Sequence, residues 1–255
     1  MITLQRLNQD TTWKININGY QFLLDPWLVE SEIDGFSWFN EQWHRTKPAP
    51  IEALPDIDCI VVSQPFSDHC HEKTIARLPE HWPIAAVAPA RKRLKKTFQQ
   101  TRDIRTIPTY DAGFLTLGAL QLTQFRTASL LDQVHNGLLI VSPTQENIFY
   151  APHGFVPNTQ QLAWLKDYPI EVLITTVSLY KLPFYLGGTV NLGLSAMRKL
   201  ADQLQPRHVV STHDEQKIAK GLVPRIAQTF YPDAFAVKKI QSNFIPIDDY
   251  QVVTI

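Results

Sequence analysis

The chain has 255 residues, with 24 Lys and Arg against 24 Asp and Glu, so no net field draws it to nucleic acid or to an anionic membrane. Two cysteines give no support to a disulfide framework, and no window approaches the ~20 apolar residues that span a bilayer. The expectation is a cytoplasmic protein without a nucleic-acid or membrane partner, of a length that suits a single domain over residues 1–255. The first residues, Met1 to Arg6, also lack the charged start, apolar stretch and cleavage site of a secretion signal.

Trp13, Ile15 and Ile17 alternate up to Asn18-Gly19, and Tyr20, Phe22 and Leu24 alternate after it, which predicts a β-hairpin. Its second strand stops at Asp25-Pro26-Trp27, because proline has a fixed φ and no N–H. Residues 28–56 carry Trp38, Phe39, Trp43 and His44 without a period and read as a long loop with short helical turns, of the kind that covers sites. Asp58 to Ser63 is a short apolar run that suits a buried strand, and it delivers the polar cluster Gln64 to His71 at its C-terminal end. Phe66 in that cluster is expected to be a buried ring whose truncation costs ~3–5 kcal/mol.

A helix is expected from His71 to Leu78, then a strand over Ile84 to Ala88 and a helix over Ala90 to Phe98, on which Arg91, Lys92, Arg93, Lys95 and Lys96 form a solvated face. Antiparallel pairs are expected across Leu117-Gly118 within Phe114 to Phe125, and between Gly137–Val141 and Ile148–Ala151. The second half then reads helix Asn158 to Lys166, strand Glu171 to Thr175, helix Leu194 to Leu204, strand His208 to Ser211 and helix Glu215 to Phe230. Leu194, Met197, Leu200 and Leu204 make one apolar stripe, and Ile218, Leu222, Ile226 and Phe230 make another. Hairpins and strand–helix units in this order predict an α/β fold of two packed sheets with helices outside, a four-layer αββα sandwich.

Three of the eight histidines fall just after predicted strands: His69, His153 and His213. Each alone reads as a surface or hydrogen-bonded histidine. Together with Asp68 they form a carboxylate and three imidazoles, a donor set for zinc, manganese or iron. Asp68 is the candidate catalytic residue. Asp25 has two readings, as a turn residue at the strand end and as the carboxylate that orients a ligating histidine through its other ring nitrogen. His71 is placed on the first helical turn in preference to serving as a fifth donor, Cys70 is expected packed and inert, and His135 belongs to a turn. Asp214 and Glu215 would begin the last helix, where acids complement the dipole, with Lys217 paired locally. Tyr180, Lys181, Phe184, Tyr185 and Gly187-Gly188 suggest a lid.

Asp25-Pro26-Trp27, the segment Ser63 to His69, Tyr150-Ala151-Pro152-His153-Gly154 and Ser211-Thr212-His213 resemble, in order, the metallo-β-lactamase superfamily, and are most similar to its ascorbate-phosphate lactonase-like branch. The resemblance runs over nearly the whole chain and implies the metallo-β-lactamase fold. That family carries His-x-His-x-Asp-His, a later histidine, an aspartate bridging two metals and a final histidine. Here Gln64 and Phe66 stand at the first two signature histidines, and Thr123 to Leu131 holds no histidine for the third ligand of that metal. The first metal position is therefore implied to be lost. Asp68 and His69 match the second position, His213 matches its last ligand, and His153 falls where the bridging aspartate would be.

This degenerate motif implies one divalent ion, zinc before manganese or iron, held by Asp68, His69, His153 and His213, or no metal at all. The corresponding function is a metal-dependent hydrolase that activates water against an ester, lactone or phosphoester. The alternative is a catalytically inactive binding protein on the same fold that has lost the dinuclear site. A nuclease, also found in the superfamily, is disfavoured by balanced charge and by the lack of an aromatic-basic groove.

Overall fold

In the computed structural model, which describes residues 1–99, 101–129, 132–248 and 250–255, the anticipated hairpin pairs Trp13–Ile17 with Tyr20–Leu24. Asn18 and Gly19 both take positive φ (53° and 93°), as the tight turn requires. The hairpin lies within a seven-stranded sheet, in the order Val252–Thr254, Ile2–Arg6, Trp13–Ile17, Tyr20–Leu24, Cys59–Val62, Ile84–Val87 and Ile104–Ile107. The first four strands pair antiparallel and the remainder parallel. A six-stranded sheet has the order His208–Ser211, Ile170–Thr175, Asn147–Ala151, Gly137–Val141, Leu120–Phe125 and Leu115–Leu117.

The central strands are apolar throughout because both of their faces are covered. Leu138, Ile140, Ile148, Tyr150, Val172, Ile174 and Val210 turn towards the first sheet and join its core with Ile15, Phe22 and Ile60. Their neighbours Leu139, Phe149, Leu173 and Val209 turn the other way, onto Leu165 of helix Thr159–Leu165 and onto Met197 and Leu200 of helix Gly193–Leu204. Strand period two thus sorts one sequence run into two layers. Ile75, Ala90 and Leu94, from helices Glu72–Arg77 and Ala88–Phe98, join the core of the first sheet, which gives the α/β sandwich of two sheets and outer helices. No helix of the described residues is long and apolar enough to cross a membrane.

Three expectations need correction. Residues 215–230 form no long helix: they give strand Ile218–Gly221, the single turn Val223–Ile226 and strand Gln228–Phe230. Gly221 adopts φ +113°, and a Cβ there would meet the Phe39 carbonyl oxygen at 2.5 Å, while Pro224 can only begin a helical turn. The supposed apolar stripe is largely solvent-facing, with Ile218 54% and Phe230 59% exposed. The loop over residues 28–56 holds two short strands, Glu32–Ile33 and Asn40–Trp43, and the second of these receives Ile218–Gly221 as its other neighbour. Phe66 is only partly buried and belongs to neither core cluster.

Candidate metal centre

Three strands end on the same edge of the sandwich and carry the donors just beyond their C-terminal ends: Cys59–Val62 leads to Asp68 and His69, Asn147–Ala151 to His153, and His208–Ser211 to His213. All four residues are buried, and one donor atom from each lies within 4.8 Å of the others. His69 Nε2 is 3.0 Å from His153 Nε2, and His213 Nε2 is 3.0 Å from Asp68 Oδ2. His213 holds φ at 61°, in the left-handed region, so its ring is aimed by a backbone that a non-glycine residue adopts at some cost. Gly154, at φ +89°, lets the turn after His153 pass against Leu192, which a Cβ would meet at 3.0 Å.

Each histidine is oriented from behind. Asp25, itself at φ 48°, accepts from the backbone N–H and the hydroxyl of Ser63 at 2.7 and 2.5 Å and from His69 Nδ1 at 2.7 Å, so it acts as the orienting carboxylate and also ends its strand. His153 Nδ1 donates to Asn191 Oδ1 at 2.7 Å, and His213 Nδ1 lies 2.8 Å from Asp10 Oδ1. Oxygen acceptors place the ring proton on Nδ1 of each histidine, which leaves three Nε2 lone pairs converging with a carboxylate oxygen. Four lone-pair donors at such distances repel one another unless a cation or added protons sit between them. A proton on His213 answers part of that demand: burial and the Lys217 charge oppose it, but Asp10 and the hydrogen bonds to Asp10 and Asp68 hold His213 up to about 9. Burial and the charges of His213 and His69 push His153 well below the ordinary range, while Asp68 resists the upward push of burial and is held low by His69, His213 and Lys217. The donor chemistry therefore fits a metal ion.

Asp10, Asn191 and Lys217 are the partners that sequence reasoning missed. Lys217 is partly buried and pairs across the chain, not locally: its Nζ is 2.8 Å from Asp10 Oδ2 and 3.8 Å from Asp68 Oδ2, and it lies over the Trp27 ring. Asp214 and Glu215 begin no helix. Asp214 pairs with Arg6 at 3.2 Å, and Glu215 binds His44 Nδ1 at 2.6 Å and the Arg45 N–H at 2.7 Å, tying the strand end to the 44–46 segment. His71 caps helix Glu72–Arg77 by accepting from the Thr74 N–H, outside the donor cluster. Cys70 is packed, and burial pushes its thiol up to about 12. His135 closes a turn on Asp132.

On the side of Gln64 the picture differs. Gln64 is buried and donates through Nε2 to the Val134 carbonyl at 2.8 Å, while its Oε1 has no partner among the described residues. In front of Asp68, His153 and His213 opens a cavity of about 550 Å³. Tyr180, Leu182, Val190 and Asn191 from the hairpin Leu179–Lys181 and Thr189–Leu192 form one wall, whereas Phe184 and Tyr185 at its tip point to solvent.

The beta-lactamase superfamily domain matches residues 7–213. Among solved structures, an isothiocyanate hydrolase from Delia radicum gut bacteria superposes with a TM-score of 0.70 at 17% identity, over 99% of this chain and 98% of that one. A possible metal-dependent hydrolase from Veillonella parvula gives 0.71 at 17% identity over 99% of both chains. A metallo hydrolase from Ignicoccus hospitalis gives 0.63 at 14% identity, over 100% of this chain and 98% of that one. Likeness at such identities speaks for the fold. No curated protein matches the sequence. With the match spanning most of the chain and the sandwich presenting its buried Asp and His donors at the strand ends, the protein belongs to the beta-lactamase superfamily domain family.

Proposed function

We propose that the protein is a cytoplasmic metal-dependent hydrolase, one domain over residues 1–255, that uses a single divalent ion to activate water against an ester, lactone or phosphoester of a small molecule. Zinc is the first choice, with manganese or iron next, and the ascorbate-phosphate lactonase-like branch serves as the functional analogy. The observation that carries this reading is the convergence of Asp68, His69, His153 and His213, each buried, with the far nitrogen of every imidazole held by an oxygen. These four residues would hold the ion. When bound, such an ion lowers the pKa of its water from ~15.7 to about 7, which supplies a nucleophile at neutral pH.

The chain's own part is positional and electrostatic. Asp25, Asn191 and Asp10 fix the imidazole tautomers, and Asp68 contributes the negative charge among the ligands, which makes it the catalytic residue of the proposal. Lys217 holds Asp10 and Asp68 in a common network. The cavity volume falls among those of small-molecule sites, about 300–1,000 Å³. One structural relative is named an isothiocyanate hydrolase, which adds an isothiocyanate to the substrates worth testing.

The second reading, an inactive binding protein, draws on the donor count: four protein ligands complete a tetrahedral shell and leave no position for water unless one ligand is weak or the shell expands. Elemental analysis after dialysis, joined to hydrolysis assays on an ester, a lactone, a phosphoester and an isothiocyanate, tests both. One ion per chain and hydrolysis that stops on chelation are expected. Hydrolysis that survives complete chelation overturns the proposal, and one ion with no hydrolysis of any of the four favours the binding protein.

A further inference from the structure

The cavity wall beside Asp68 carries more hydrogen-bond acceptors than donors. Glu32 Oε2 lies 2.5 Å and Asp34 Oδ1 3.0 Å from the same hydroxyl oxygen, Ser67 Oγ. A hydroxyl has one hydrogen, so only one of these carboxylates can receive it. Asn40 spends its Nδ2 on Asp34 Oδ2 at 3.1 Å, and the other end of that amide, Oδ1, has no donor among the described residues although Asn40 is only 3% exposed. Glu32, Asp34 and Asn40 all line the cavity that the donor cluster also faces. Lys217 and Arg45 line it too, yet among the described residues neither forms an ion pair with Glu32 or Asp34, and Lys217 is engaged by Asp10 and Asp68.

A buried Glu32 beside a half-buried Asp34, with no ion-pair partner for either among the described residues, is costly to ionise. Burial, with Asp34 and Asp68 nearby, pushes Glu32 up to about 8, and burial with Asp68 raises Asp34. A bound cation would take the place of the proton that Glu32 otherwise keeps and would pair with both carboxylates. A primary ammonium brings one charge and three N–H donors, which matches the Glu32 and Asp34 carboxylates and the free Asn40 oxygen in number and polarity. A calcium or magnesium ion suits the wall less well, since it takes six or more oxygens and the Asn40 N–H and Ser67 O–H already point at these carboxylates.

We infer that Glu32, Asp34 and Asn40 form a subsite for a primary ammonium group carried by the substrate. The inference rests on the proposal that this cavity is the substrate site, and it narrows the substrate class to amine-bearing esters, lactones or related small electrophiles. Ser67 precedes Asp68 in the chain, and consecutive Cα atoms are ~3.8 Å apart. Asp68 and this wall line the same cavity, so one small substrate would present its ammonium to the wall and its electrophile to the donor cluster.

The test is titration calorimetry with n-butylammonium chloride and, as its uncharged counterpart, n-butanol, at constant ionic strength on chelator-treated and on zinc-loaded protein. The wild type is expected to bind the ammonium at least tenfold more tightly than the alcohol. That preference should disappear in Glu32→Gln and in Asp34→Asn, both near-isosteric and checked for folding by thermal melting. Equal affinity of the wild type for the two probes overturns the inference without recourse to any variant. So does a preference that both variants retain, and so does calcium or magnesium binding that displaces butylammonium and is lost in the variants. Because binding is read without turnover, an ammonium preference in a protein that hydrolyses nothing would sink the proposed hydrolase and leave the subsite standing.

Discussion

The strand Cys59–Val62 empties into two regions that have diverged. On the Asp68 side every imidazole has its far nitrogen held by an oxygen, and the three orienting residues come from three separate segments. On the Gln64 side a buried amide donates to the Val134 carbonyl, its own oxygen has no partner among the described residues, and Phe66 lies partly buried outside both cores. Orientation from behind distinguishes a preorganised ligand set from polar residues that merely occupy a strand end. The contrast supports the proposed centre for one ion.

The largest effect should come from Asp68→Asn. The amide keeps the shape and caps a helix about as well as the acid, but it offers no charge to a cation. Bound metal by elemental analysis is expected to fall below one tenth of an equivalent, with the fold retained and the stabilisation by metal, seen as a chelator-sensitive melting midpoint, lost as well. Metal content equal to that of the wild type would remove Asp68 from the ligand set. Conversely, two ions per wild-type chain after dialysis would show that the Gln64 side still holds metal and would erase the comparison.

A smaller loss is expected behind the ligands. Asn191→Ala leaves all four donors in place and removes only the acceptor for His153 Nδ1. Outer partners of this kind are worth about 10–100-fold in metal affinity. Competition with a chromogenic chelator measures the shift. An unchanged dissociation constant would mean that His153 is held by packing alone.

Much of this architecture is legible in the sequence, because period-two runs and tight-turn dipeptides are local signals. The hairpin at Asn18-Gly19, the buried run at Cys59 to Val62 and the apolar stripe of helix Gly193–Leu204 all fall within a few residues of where patterning puts them. Ile2, Leu4 and Arg6 alternate as well, although the strand they form passes unnoticed beside its short partner Val252–Thr254. The failure at residues 215–230 has a physical cause: an i, i+4 apolar series outweighed Gly221 and Pro224, the two residues that forbid the helix. Asp10, Asn191 and Lys217 carried no spacing signal. They meet the histidines only after strands distant in sequence are brought together, and no local pattern encodes that.

The acid-rich wall offers a third contrast, readable by pH. Glu32 is raised to about 8 from an ordinary value of 4.5 by burial, with Asp34 and Asp68 adding to it, against Lys217 and the Ser67 hydrogen bond; Tyr180 also faces this pair. A carboxyl raised on folding contributes stability that is full below 4.5 and is lost as pH climbs through about 8, since the folded state keeps a proton that the unfolded chain gives up. Glu32→Gln keeps the neutral shape at every pH. Its melting midpoint relative to wild type should therefore improve between pH 5 and pH 8.5, and a difference that stays constant across that interval would show that Glu32 ionises normally.

The smallest effect is expected at Phe66, and it returns to the region beside Gln64. A fully buried phenylalanine cut back to alanine costs about 3–5 kcal/mol, from lost transfer energy and the cavity left behind. Phe149 meets that description: it is 0% exposed and touches the rings of Phe125 and Phe155. Phe66 keeps part of its ring in solvent and joins neither core cluster, so Phe66→Ala should cost only about 1 kcal/mol, scaled from the smaller apolar area it removes from water. Its backbone carbonyl still accepts from the His69 and Cys70 N–H groups at 3.1 and 2.7 Å in the variant, so the loop that aims His69 is preserved. Metal content should not change. Chemical denaturation of Phe66→Ala and Phe149→Ala in parallel gives the two free energies, and elemental analysis gives the metal. A loss at Phe66 as large as that at Phe149 would mean that the ring supports the site through contacts that solvent exposure alone conceals, and a loss of metal at unchanged stability would make the aromatic side chain part of the centre.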